Sequence, residues 1–329
     1  MKKYISFFSK IALVAIFFGV TFVDIGYAQE KIFHFAHVFA PQENPYHNFV
    51  AKFKEVVEDK SGGSIKIVEH AAMELGSERE YIESCQMGTL DMAIVNASIM
   101  TTFTPSLDWT ALYFVITNTE QAARVLKNEQ VQQKLKDLEH INLMPLSYIS
   151  SGPRGTFTTN KPITTMVDLK GLKIRVMETP IHVTAWKAMG ANPTPLAYGE
   201  LYTALEYGTV DGAENPISGY QGVKFYEPAP FFAFTNHQWN VAVAFMSKRA
   251  WEKLSPEEQE LFREAARLGL DYNLDKEVSE EEKQVKELQE LGVKFTYPDI
   301  EEFKETVLPA LGEYEEKVGK EFVEMMRNM

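Results

Sequence analysis

An α/β fold of two lobes is what the sequence predicts, and three observations predict it. Short aliphatic strands alternate with helices that end at glycines; one helix, glycine and strand module occurs in each half; and a charged helical pattern of lobe-spanning length begins at Ser255. The module reads Gly88-Thr89-Leu90-Asp91-Met92-Ala93 after one helix and Gly208-Thr209-Val210-Asp211-Gly212-Ala213 after another, which suits two similar lobes facing each other. A chain of 329 residues with 45% hydrophobic content is large enough for two cores.

The opening segment, 1–28, carries Lys2, Lys3 and Lys10 ahead of the apolar run Ile11 to Val23, then Gly26-Tyr27-Ala28. This is the pattern of a cleaved export signal, with a mature start expected at Gln29; a membrane anchor is the alternative. Losing three lysines and one aspartate would take the net charge from −13 to −15. So acidic a chain is repelled by nucleic acid and by anionic membrane surfaces, and no nucleic-acid partner is expected. An anionic ligand would need a locally positive pocket, which screening over roughly 8 Å permits. Cys85 is the single cysteine, so no intramolecular disulfide forms, and its spacing from Tyr81 and Ile82 puts the thiol in a core.

A strand is expected over Ile32 to His37, then a helix capped by Asn44 and started by Pro45, with Phe49, Val50, Phe53, Val56 and Val57 as its buried stripe. His34 and His37 fall on opposite strand faces and do not share a metal. His37, near the strand's carboxyl end, reads either as a hydrogen-bonded structural histidine or as a ligand contact. A strand over Ser64 to Glu69 and a helix over Glu78 to Met87 follow. Trp109 to Ile116 is apolar, a helix is expected from Thr119 to about Leu138, and a strand from Asn142 to Ile149. Gly152-Pro153-Arg154-Gly155 then breaks the chain, a crossing point between lobes that leaves Arg154 in a loop.

Leu172, Ile174 and Val176 alternate with Lys173, Arg175 and Met177, so a strand turns three aliphatics one way and Arg175 the other. A guanidinium held there can grip a carboxylate through two parallel hydrogen bonds; the alternative is an edge-strand arginine in water. A helix (Pro180 to Met189), an extended piece (Asn192 to Leu196), a helix (Tyr198 to Tyr207), a short strand and Asn215-Pro216 complete this unit. Ligands gather beyond the carboxyl ends of such strands, where Met177 to Thr179 and Glu214 to Asn215 fall. Val241 to Met246 returns the chain to the first lobe. The helix from Ser255 to about Leu291 bridges both lobes, and a strand over Val293 to Thr296 and a terminal helix finish the chain.

No nucleophile elbow, phosphate loop, HExxH motif, paired cysteine ligands or dinucleotide fingerprint is present, so neither a cofactor nor a metal is expected. Glu78, Glu178 and Glu214 could serve an enzyme as acid and base, but carboxylates near two arginines are more simply groups that orient them.

The runs DLKGLKIRVMETP, MGANPTP, GELYTALEYGTVDGAENP and KFYE, with NPYHNFVAKFKEVVEDKSGG, LGSEREYIESCQMGTLDMAIV and GPRGTFTTNKPI upstream, resemble the DctP family. Its members are substrate-binding proteins of tripartite ATP-independent periplasmic (TRAP) transporters. The resemblance covers essentially the whole chain after the leader. It implies a two-lobed, periplasmic-binding-protein-like clamshell with hinge segments and the long C-terminal helix across both lobes. Lobe I would be 29–152 plus about 241–280, and lobe II 153–240 plus about 281–329. The family closes on an organic acid and delivers it to small and large membrane subunits, so a periplasmic, monomeric binding protein is implied.

The resemblance further implies that Arg175 makes the salt bridge to the ligand carboxylate, with Arg154, Asn215 and Tyr198 beside it and Glu78, Asn96, Glu178 and His37 lining the remaining cleft. Sialic-acid binders resemble the chain around ALYFVITN, TNHQWN and FTYPDIEEF, yet carry an acidic residue at the position of Asn96, a basic one at Ile99 and an amide at Glu178. Sialic acid is therefore not the expected ligand. The polar set suits a hydroxylated acid such as a uronate. A C4-dicarboxylate, or a secreted lyase or dehydratase acting on an organic acid, are the alternatives.

Overall fold

The computed structural model describes residues 30–42 and 44–329; the leader and the start expected at Gln29 lie outside them. Strands β1 (Lys31–Ala36) and β2 (Ile65–His70) are parallel, so the chain between them must cross over, and helix α1 (Pro45–Lys60) makes the crossing. Asn44 starts that helix by accepting from the Tyr46 and His47 N–H groups, both at 3.1 Å. Its apolar stripe, Phe49, Val50, Phe53 and Val57, is fully buried. Helix α2 (Glu78–Met87) opens on a capping box between Ser77 and Glu80 and closes at Gly88, whose φ of 76° is left-handed. Strand β3 (Met92–Asn96) and the short helix α3 (Ala97–Met100) follow, with Cys85 buried beneath.

The helix expected from Thr119 to Leu138 is divided. Helix α4 (Thr119–Lys127) ends at Asn128, whose side chain accepts from the Gln130 and Val131 N–H groups and starts α5 (Glu129–Lys134) afresh. An asparagine that can cap its own downstream turn competes with helix continuation, and here it wins.

Strand β4 (Leu143–Thr158) is sixteen residues long and runs through the segment expected to break. Gly152, with a φ of 78°, and Pro153, which has no N–H to give, make a bulge: pairing shifts register between Ser150 and Pro153, then resumes. Arg154 therefore stands on a strand, held in register opposite Pro216, and not in a loop. The segment expected to break is one continuous strand, paired with β9 as far as Pro153 and with β7 and β8 beyond it.

The second lobe adds β5 (Lys173–Val176), α6 (Pro180–Ala188), β6 (Asn192–Pro195), α7 (Leu201–Glu206), β7 (Gly212–Pro216), α8 (Ile217–Gly222) and β8 (Phe231–Ala233). The helix expected from Tyr198 opens as a 3-10 turn, Tyr198–Glu200. Strand β9 (Trp239–Ser247) goes back to pair with β3 and β4, giving the order β2-β1-β3-β9-β4-β7-β5-β6. After α9 (Lys248–Trp251), helix α10 (Pro256–Glu290) runs thirty-five residues from the capping box of Ser255 and Glu258. It bridges the lobes: Asn48 of α1 donates to Glu280 at 2.9 Å, and Gln221 of α8 donates to Glu287 at 2.8 Å. Strand β10 (Lys294–Thr296) pairs with β8.

The single terminal helix expected is three, α11 (Ile300–Ala310), α12 (Gly312–Val318) and α13 (Lys320–Arg327), divided after Pro309 and at Gly319 with its φ of 104°. The last of them returns to α4, where Gln121 donates to the Met326 carbonyl at 2.8 Å.

One glycine of β4 is needed for close approach. A Cβ on Gly155 would lie 2.4 Å from the Phe232 ring and 2.8 Å from the Ala233 carbonyl of β8. Gly155→Ala is expected to destabilise the protein by about 1–3 kcal/mol through overpacking, read as a lower urea midpoint at unchanged m-value. An unmoved midpoint would mean that the β4 and β8 strands part without cost.

Candidate ligand cleft

Two neighbouring strands decide what Arg175 can do. Strand β5 lies between β6 and β7, so it is not an edge, and Arg175 is only 3% exposed, which excludes the arginine bathed in water. Ile174 and Val176 fill the core on the opposite face. The guanidinium is oriented by its Nε, which donates to the Leu196 carbonyl at 2.9 Å, and it stands 5.9 Å from the Tyr198 ring centroid. Its terminal Nη nitrogens have no hydrogen-bond partner among the described residues. They open into a cleft that also takes Glu78, Asn96, Arg154, Tyr198 and Asn215 as walls. Burial pulls the guanidinium pKa down, but arginine keeps its charge in proteins.

Arg154 is differently engaged. Its Nε bonds Glu214 Oε2, its Nη2 donates to Glu214 Oε1 at 2.9 Å and to the Glu214 carbonyl at 3.0 Å, and its Nη1 bonds Asn240 Oδ1. Glu214 is fully buried, and His237 lies on its Oε2 at 3.4 Å. Burial pushes the Glu214 carboxyl up, but Arg154 and His237 outweigh it and hold it far below the usual carboxylate range. Glu214 thus cancels the charge of Arg154, as expected of a carboxylate that orients an arginine. The cleft retains one uncompensated cation, Arg175.

Glu78, at the first position of α2, accepts from the Asn96 N–H at 2.5 Å. Burial raises its pKa against that bond and against the charges of Arg175 and Arg154. Asn96 Nδ2 donates to Asn240 Oδ1 at 2.5 Å while its Oδ1 caps α3 through Ser98 N–H at 2.8 Å. Asn215 Nδ2 donates to the Tyr198 hydroxyl at 3.1 Å. The lobes touch across the cleft, with the Phe39 and Tyr198 ring centroids 5.9 Å apart.

Two expected contacts stand elsewhere. His37 is fully buried behind the cleft with Nε2 2.7 Å from Glu69 Oε1, and His47 lies 2.8 Å from the same oxygen. Despite its burial, Glu69 is brought down to about 2 by these two histidines. Glu178 is exposed at the rim, two residues beyond β5. Tyr46 and Asn240 are walls that sequence reasoning missed. Asn240 lies inside the TNHQWN run already noted for its resemblance, and its single oxygen ties Asn96 of the first lobe to Arg154 at the crossing.

The family model for bacterial extracellular solute-binding protein, family 7, DctP, matches residues 35–317. The solved structure of a TRAP periplasmic solute-binding protein from Bradyrhizobium in complex with galacturonate superposes with a TM-score of 0.86 at 32% identity, over 91% of this chain and 100% of that one. The sugar acid binding protein DctPAm from Advenella mimigardefordensis in complex with galactonate gives 0.86 at 30% identity, over 91% and 97%. The sialic acid-binding periplasmic protein SiaP of Vibrio cholerae is 28% identical over 86% of this chain and 88% of its own.

Proposed function

Since the chain belongs to the DctP family of bacterial extracellular solute-binding proteins, we propose that its cleft captures a sugar acid, a hydroxylated monocarboxylate, and that Arg175 grips the carboxylate. One observation carries the substrate class: with Arg154 spent on Glu214, Arg175 is the single cation left for a ligand, so one carboxylate is matched and a second is not. Glu78, Tyr198, Asn215 and the paired amides of Asn96 and Asn240 line the cleft with the donors and acceptors that sugar hydroxyls need. The solved neighbours that hold galacturonate and galactonate support the same class. A C4-dicarboxylate would bring a second negative charge against Glu78 and the Glu214 side of the cleft.

The two-lobed fold and the family are those of transport proteins that work with TRAP membrane subunits. We infer that the loaded protein, exported by its leader, docks on the small and large subunits as a monomer, without catalysis. Calorimetric titration with D-galacturonate, D-galactonate, succinate and N-acetylneuraminate tests the reading. One of the two sugar acids is expected to bind about 100-fold more tightly than succinate, a difference of about 2.7 kcal/mol, and to be recovered unchanged. Tighter binding of succinate would move the substrate class to dicarboxylates, and turnover would make the protein an enzyme.

A further inference from the structure

Beside the β4 crossing lies a second pocket, about as large as the ligand cleft. Its walls are Pro45 at the start of α1, Ser151, Gly152 and Pro153 of the bulge, and Ile217 and Ser218 at the start of α8, closed over by α10. Both lobes and the helix that bridges them therefore meet here. Glu277 of α10 reaches into it. Its side chain is 6% exposed, and its Oε1 lies 3.3 Å from where a Cβ on Gly152 would stand. Neither carboxylate oxygen has a hydrogen-bond partner of good geometry among the described residues, and the Ser151 and Ser218 hydroxyls beside it are likewise buried and unpartnered.

An ionised carboxylate in such a place carries a large desolvation cost unless a cation or several donors meet it. Among the described residues that line this pocket there is no cation. From α10 come Glu280 and Glu281, both like-charged, and Gln284; from β4 the Ser150 and Ser151 hydroxyls and the Gly152 N–H; from α8 Ile217 and Ser218; and from α1 Pro45. His47 of α1 acts on Glu280, and it is engaged with Glu69. Burial, with Glu281 and Glu280 adding to it, pushes Glu277 up to about 7, which the Ser150 hydroxyl and Gly152 N–H offset only in part.

We propose that this pocket is a proton site at the hinge: Glu277 is held as a neutral acid when the lobes are closed, and ligand capture takes up a proton there. Hinge opening parts Pro45 from Ile217 and Ser218 and lets water reach the carboxyl, which can then ionise at its ordinary value. A folded, closed form with the raised pKa is favoured at low pH, and that advantage is lost as pH rises through about 7. The ligand part of this inference rests on the sugar-acid reading.

The test is titration of parent and Glu277→Gln with D-galacturonate and D-galactonate from pH 6 to pH 8, in two buffers of different ionisation enthalpy, alongside ligand-free melting. The parent should bind about tenfold more weakly at pH 8 than at pH 6 and take up a proton on binding; Glu277→Gln, a fixed mimic of the neutral acid, should bind evenly across the range. Ligand-free, where the open form leaves Glu277 at its ordinary value, the two proteins should melt in parallel over the same interval, and a parent that falls behind Glu277→Gln there would overturn the coupling to closure. Equal pH slopes in the two proteins overturn the proposal. If neither acid binds either protein, the sugar-acid reading fails and ligand-free scattering decides alone: a parent more compact at pH 6 than at pH 8 beside an unchanging Glu277→Gln keeps the proton site, and equal dimensions at both pH values remove it.

Discussion

Arg175→Lys is expected to weaken binding of the preferred sugar acid by about 30- to 150-fold, or about 2–3 kcal/mol, while the ligand-free protein melts within a degree or two of the parent. Lysine keeps the charge but replaces the two-pronged fork with a point donor, and the Leu196 carbonyl that now orients the guanidinium would compete for it. Arg175→Ala should weaken binding further. The dissociation of affinity from stability follows from the strand: Ile174 and Val176, not Arg175, supply the core contacts of β5. Because burial already works against the charged form of Arg175, its removal relieves a cost in the empty protein and can raise the melting temperature slightly. Titration calorimetry and ligand-free unfolding measure the two effects separately. Affinity within twofold of the parent for Arg175→Lys would take the residue out of the site, and a large loss of ligand-free stability would make it structural.

What was legible in the sequence was local. Each expected strand and helix of the first hundred residues stands within a residue or two of its place, because Asn44, the Ser77 and Glu80 box and Gly88 are caps whose partners lie within a few positions. The same local chemistry was underread at Asn128 and Gly319, where a side-chain cap and a left-handed glycine end helices that an apolar periodicity alone would continue. Arg154 shows the other limit. Gly152, Pro153 and Gly155 look like a loop from their own preferences, but β9 and β7 pair on either side of them and hold one strand through the bulge. Pairing with β9, whose Trp239 stands opposite Pro153, overrides the local signal. Asn240 and Tyr46 have no spacing of their own to announce them; each enters the cleft only because a strand or helix from another part of the chain ends there.

Glu214→Ala should cost more stability than any change in the cleft proper, about 3–5 kcal/mol, and lower the melting temperature by about 10 °C. The substitution leaves Arg154, 3% exposed, with a buried charge that only Asn240 Oδ1 and a backbone carbonyl still meet, and it strips His237 of its carboxylate partner. A pH profile carries a second signature. The folded-state pKa of Glu214 is depressed, so its contribution is fully present at neutral pH and is lost as pH falls below the ordinary carboxylate value toward the folded one. The parent should therefore lose stability steeply in acid, and Glu214→Ala should show a flatter acid limb from a lower plateau. The double change Arg154→Met with Glu214→Leu removes both charges at once and should recover much of the loss. Urea unfolding of the three proteins from pH 3 to pH 7 measures these differences. A double variant as unstable as Glu214→Ala would show that the loss comes from packing around β4 and β7 and not from the orphaned arginine. Arg175 and Arg154 would then differ only in degree, whereas on the proposed reading Arg175, bonded only through Nε among the described residues, is left for the ligand and Arg154 is spent on Glu214.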